Sequence, residues 1–88
     1  MSRKWLYKQL IAKYGNSNQL TVLVEELSEL TKEICKYQRG NGNIGHIAEE
    51  IADVEIMLEQ AKLIFHIGED NLEEIKDYKI NRTFNRLF

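Results

Sequence analysis

The stretch Leu20-Thr21-Val22-Leu23-Val24-Glu25-Glu26-Leu27-Ser28-Glu29-Leu30-Thr31-Lys32-Glu33-Ile34 decides how this chain is read. Its apolar residues Leu20, Leu23, Leu27, Leu30 and Ile34 recur at intervals of three and four. That spacing lines one side of an α-helix, in which each residue advances about 100°. Upstream, Gly15 closes a first helical segment running from Ser2 to Tyr14, and the polar linker Asn16-Ser17-Asn18 offers caps for the second. Downstream, the second helix continues to about Gln38 and gives way to a Gly- and Asn-rich loop, Arg39 to Gly45.

A third segment carries Ile47, Ile51, Val54, Leu58, Ala61 and Phe65 at helical intervals and ends near Gly68. A fourth begins at Asp70, three residues before Glu73 in capping-box-like spacing, and extends through Ile75, Tyr78, Leu87 and Phe88. Proline is absent and no alternating run predicts a strand. The expectation is a single all-α domain over residues 1–88, a small helical bundle of three to four helices.

Composition narrows the class. Eighty-eight residues, 43% hydrophobic and 30% charged, suit a soluble globular domain with one thin core. The longest apolar runs, such as Leu63-Ile64-Phe65, fall far short of the roughly 20 residues of a membrane span. Lys8 and Lys13 interrupt the segment after Arg3 and Lys4, so no secretory signal is expected and the protein reads as cytoplasmic. Cys35 is the only cysteine, which excludes an internal disulfide and a thiolate metal cluster. A net charge of −2 argues against a nucleic-acid partner.

Acidic residues break the apolar pattern at two places. On the third helix, Ile47 and Phe65 mark the centre of the apolar arc; Glu50 falls inside it, between Met57 and Ala61, with Asp53 beside it. Burying an unpaired carboxylate costs several kcal/mol, so something must compensate the charge. On the second helix Glu26 borders the leucine stripe, Glu29 and Glu33 lie a little further around, and Glu25 points nearly opposite. Two acid-x-x-acid pairs on neighbouring antiparallel helices are how helical bundles build an all-oxygen site, which selects a hard cation, Mg2+ first with Mn2+ able to substitute. Either pair alone also occurs on ordinary solvated helices.

The stretches Val24-Glu25-Glu26-Leu27-Ser28-Glu29-Leu30 and Ala48-Glu49-Glu50-Ile51-Ala52-Asp53-Val54 resemble the paired signature of the MazG-like, all-α nucleoside triphosphate pyrophosphohydrolases: Glu-Glu-x-x-Glu, a variable gap, then Glu-x-x-Asp. The resemblance spans about residues 14 to 67. It implies that Glu26, Glu29, Glu50 and Asp53 ligate Mg2+ and that a nucleoside triphosphate, canonical, non-canonical or deoxy, is hydrolysed to the monophosphate and pyrophosphate. Glu33, one turn after Glu29, is a candidate for orienting the attacking water. The tail Lys79-Ile80-Asn81-Arg82 matches a basic region after the family's core helices more weakly, making Lys79, Arg82 and Asn81 candidate substrate contacts, with Arg39 and Lys36 beside the loop as further ones.

Single-subunit members of that group resemble half of a larger four-helix assembly, so a homo-oligomer, dimer or tetramer, is expected. Ala52, Ile56 and Leu63 form a second apolar stripe on helix three that such an assembly would cover. Trp5, Tyr7, Tyr14 and Tyr37 read as core rather than as base-stacking residues, and His46 and His66 as surface residues. The nearest rivals share the fold: a dUTP or dCTP diphosphatase, or the phosphoribosyl-ATP pyrophosphohydrolase. A rival of another class is a non-catalytic helical interaction module.

Overall fold

A computed structural model describes the whole chain, Met1–Phe88, as four helices with no strand: α1 (Arg3–Tyr14), α2 (Asn16–Gln38), α3 (Ile44–Ile64) and α4 (Glu69–Leu87). Local chemistry explains each boundary. The Ser2 hydroxyl accepts the Trp5 backbone N–H at 3.0 Å and starts α1. Gly15, at φ 90°, ends it, its N–H donating to Ile11 O at 2.8 Å. Because glycine alone takes this backbone geometry cheaply, one residue turns the corner. Asn16-Ser17-Asn18 is therefore the first turn of α2 and not the linker expected.

The α2–α3 loop is also shorter than expected. Asn43 Oδ1 accepts the His46 N–H at 3.2 Å, so Ile44 and Gly45 are already helical. At the other end α3 stops at Ile64, and the expected start of α4 at Asp70 is displaced. Gly68 takes the N-cap position without a side-chain cap, and Glu69 and Asp70 lie in the first turn. There their charge meets the positive end of the helix dipole, which favours them without a capping box.

The α2 and α3 helices form an antiparallel hairpin, and α1 lies along it in the same direction as α3. Two polar contacts tie the three together. Gln19 Nε2 donates to Gln60 Oε1 at 2.8 Å, and Tyr7 donates its hydroxyl to Glu59. Gln60 is only 2% exposed, so an unpaired amide there would cost more than this bond returns. Tyr7, Val54 and Met57 complete the small set of buried residues.

Three packing expectations need correction. The buried side of α3 is centred on Val54, Met57 and Gln60, not on Ile47 and Phe65; Phe65 is 56% exposed. The rotation places Glu50 near the middle of the packed face. Of the aromatic residues assigned to the core only Tyr7 is buried; Trp5 is exposed on the opposite side of α1, and Tyr14 and Tyr37 are exposed at the ends of α1 and α2. Finally, Ala52, Ile56 and Leu63 face α1 of their own chain across two grooves, so α1 supplies part of the cover assigned to a second subunit.

A different apolar surface is left open. Leu27 and Ile34 of α2, Ile51 and Leu58 of α3 and Phe65 at its C-cap are each more than 40% exposed. Within each helix they recur every seven residues, and in an antiparallel pair the same rotation from the shared contact puts both rows on one side. Helix α4 does not cover them. Its first turn is tied by Lys62 and Glu69 at 3.1 Å, Leu72 sits over the end of α3, and the rest runs out from the bundle. The radius of gyration is accordingly 16.0 Å, against about 12 Å for a compact chain of this length.

The Tyr7 phenol is held above its ordinary pKa, first by its hydrogen bond to Glu59 and then by burial. Replacing Tyr7 by Phe leaves the half-buried Glu59 carboxylate without its donor. Urea unfolding is expected to show a loss of about 1 to 2 kcal/mol, with the helical circular dichroism of the native state unchanged.

Candidate carboxylate metal centre

The hairpin brings three carboxylates to one point. One oxygen each from Glu26 on α2 and from Glu50 and Asp53 on α3 lie within 4.8 Å of one another. Glu26 and Glu50 are half-buried in the interface, and Asp53 is exposed at its edge. Their placement follows from periodicity. Glu26 occupies the helical rotation between Val22 and Leu30, and Glu50 that between Val54 and Met57, which are the rotations at which the two helices meet. Glu29 and Asp53 are displaced from Glu26 and Glu50 by the same three residues, so both lie toward the same edge of the hairpin.

The electrostatics are unfavourable as they stand. At an effective dielectric of about 20, two full charges at this separation repel by about 3 kcal/mol. Two features show the strain. Glu50 Oε2 is buried with no hydrogen-bond partner. The Glu26 carboxyl is held above the usual carboxylate range, first by burial and then by the charges of Asp53 and Glu50, by a hydrogen bond to Glu50 and by Glu29. Only a proton or a cation relieves such a cluster, and a set of oxygen donors suits a hard divalent cation.

The remaining expected site residues divide. Glu29 is exposed; it adds to the field on Glu26 but stands outside the three-carboxylate cluster. Glu33 is largely covered, with a side chain 12% exposed, and is paired with Lys36 at 3.3 Å. Arg39 is exposed in the loop after α2, ten residues beyond Glu29, which is about 15 Å of helix. Lys79, Asn81 and Arg82 are exposed on the projecting α4, and Arg82 lies over the Tyr78 ring at 5.8 Å. Arg39, Lys79 and Arg82 form no ion pair with any carboxylate of the chain. Within one chain Lys79, Asn81 and Arg82 stand away from the acidic cluster, because α4 does not fold back along the hairpin.

Lys36 is the basic residue that the hairpin does hold at this edge. It follows Glu29 by seven residues, two turns on the same face, and its ammonium is fixed by Glu33. Comparison with models of protein families, with curated proteins and with solved structures gives no match for this chain.

A raised native pKa makes Glu26 a source of pH dependence. Its contribution to stability is complete below the ordinary carboxylate range and is lost as pH rises through the raised native value. In a divalent-free buffer, thermal melts of wild type and Glu26→Gln should therefore diverge: between about pH 5 and about pH 8 the wild type loses more stability than the variant. Adding magnesium at the higher pH should raise the wild-type melting temperature and leave Glu50→Gln much less changed.

Proposed function

We propose that this chain hydrolyses nucleoside triphosphates to the monophosphate and pyrophosphate in a magnesium-dependent reaction, as the resemblance to MazG-like pyrophosphohydrolases implies. The observation that carries the reading is the convergence of Glu26, Glu50 and Asp53 with a buried, unpartnered Glu50 oxygen among them. A structural carboxylate would be paired or solvated, whereas this oxygen has neither a partner nor solvent.

In this reading Glu26, Glu50 and Asp53 hold the cation, and Glu29 lies beside them at the same edge. Bound there, magnesium would neutralise charge on the triphosphate and make water more acidic. Water then attacks the α-phosphorus, the bond from that phosphorus to the bridging oxygen breaks, and pyrophosphate leaves in line. Asp53, exposed at the rim, faces the approaching substrate. In this reading Glu33, one turn from Glu29 and paired with Lys36, orients the attacking water. Glu26 gives up its own proton when the cation binds, so cation affinity rises with pH.

A second copy of the chain belongs to this reading. The accessible surface is 6941 Å², whereas a compact 10.4 kDa monomer exposes about 5400 Å². The excess of about 1500 Å² exceeds the roughly 800 Å² that each partner buries in a standard interface. The open face of Leu27, Ile34, Ile51, Leu58 and Phe65 is the natural contact, completing a four-helix core from two hairpins. Along α4, Lys79 and Arg82 lie about 15 and 20 Å from its start, and along α3, Asp53 and Glu50 lie about 16 and 21 Å from its end. A helix packed antiparallel on a hairpin would bring those levels into register, giving the basic residues access to phosphate.

Two measurements test the proposal. With purified protein and a panel of ribo- and deoxynucleotides that includes dUTP and dCTP, pyrophosphate release should require magnesium and fall by about 100-fold or more in Glu50→Gln and Asp53→Asn. Folded wild type with no release from any nucleotide, phosphoribosyl-ATP included, would leave the interaction-module reading. Sedimentation should give at least twice the 10.4 kDa chain mass, and Leu58→Glu should shift it to the monomer.

A further inference from the structure

We propose that the groove between α1 and the α3–α4 turn binds a small organic phosphate, at a site separate from the carboxylates. This is a cavity of about 510 Å³, within the roughly 300 to 1,000 Å³ range of small-molecule pockets. Its charged side is formed by Lys4 and Lys8, one turn apart on the same face of α1, with His66 across from them; its floor is Ile11, Leu63 and Ile64. No carboxylate lines it, although the chain as a whole is acidic. Every ion pair of the structure belongs to Lys36, Lys62 or Lys76, so Lys4 and Lys8 are cations without an acidic partner. Glu69, the first acidic residue after the turn, is engaged by Lys62.

The turn adds a second observation. His66 N–H donates to Leu63 O at 3.3 Å and Ile67 N–H to Lys62 O at 2.9 Å, the bonding of a Schellman motif whose left-handed position normally holds glycine. Here that position, at φ 54°, is histidine. Glycine would remove the backbone strain; histidine bears it and lines the groove together with the two lysines. Asn16, at the start of α2, also lines the cavity, and α2 has no side-chain cap there, so its dipole adds a weak favourable field. Two ammonium groups and an imidazole suit a phosphoryl group, and the apolar floor suits an attached organic body. The site lies roughly 20 Å along α3 from Glu50, and the inference does not rest on the hydrolytic reading.

The test uses the full chain in divalent-free buffer, with nuclear magnetic resonance following His66 and the α1 amides. Adenosine monophosphate should shift His66 and the Lys4–Lys8 amides saturably. Inorganic phosphate should do so with about tenfold weaker affinity, the equivalent of about 1.4 kcal/mol of apolar contact, and uncharged adenosine should not. Lys8→Glu should weaken adenosine monophosphate at least tenfold. His66→Gly should raise the melting temperature while weakening binding, which separates loss of the site from loss of the fold. Equal affinities for adenosine and its monophosphate, phosphate binding as tightly as the monophosphate, unchanged shifts in Lys8→Glu, or absence of saturation would each overturn the proposal.

Discussion

Three carboxylates meet where α2 and α3 pack, and the rest of the structure is arranged around that contact. Glu26 and Glu50 stand at the rotations that a simple bundle would fill with leucine, within 4.8 Å of each other and of Asp53. The hairpin therefore gives up hydrophobic contact where its helices are closest and accepts like-charge repulsion in its place. An oxygen of Glu50 with no partner marks where this conflict is greatest, and the raised Glu26 pKa is how the conflict is relieved when only protons are present.

Such a core holds together because other interactions lie at a distance from the charges. The Gln19–Gln60 bond and the Tyr7–Glu59 bond both lie toward the end of α3 remote from Glu50, and they fix α1 and α2 on α3 there. Val54 and Met57 supply the buried apolar contact between these bonds and the carboxylates. Polar pairs of this kind are specific in register, since sliding α2 along α3 would leave a buried amide unpaired. They thereby set the alignment that brings Glu26 opposite Glu50.

The same economy leaves the chain with more surface than a monomer of its size needs. The open rows on α2 and α3 and the projecting α4 are two parts of one condition: the hairpin has one side covered by α1 and the other by nothing within the chain. On the proposed reading a second copy meets both needs at once, by closing the apolar face and by placing basic residues of α4 within reach of phosphate. The groove carrying Lys4, Lys8 and His66 lies on the covered side, where α1 and the turn after α3 make a concave surface without a partner subunit.

Much of this was legible in the linear order of residues. The three- and four-residue apolar spacing and the glycines gave the helical segments and their approximate extents, with the starts of α2, α3 and α4 and the end of α3 shifted by a few residues, because helix formation and termination depend on residues within a turn of one another. The anomaly of Glu50, Asp53 and Glu26 was legible for the same reason: period alone puts an acid at an apolar angle. Tertiary structure decided the rest. Which rotation of α3 faces inward depended on Gln19 and Gln60 pairing across 41 residues, and whether Tyr7 or Trp5 is buried depended on Glu59 standing opposite. That Glu29 lies outside the cluster was settled by how α2 and α3 pack, and that Lys79, Asn81 and Arg82 are carried away from it by the direction in which α4 leaves the turn. Those outcomes are balances of packing and desolvation between distant segments, which no local pattern encodes.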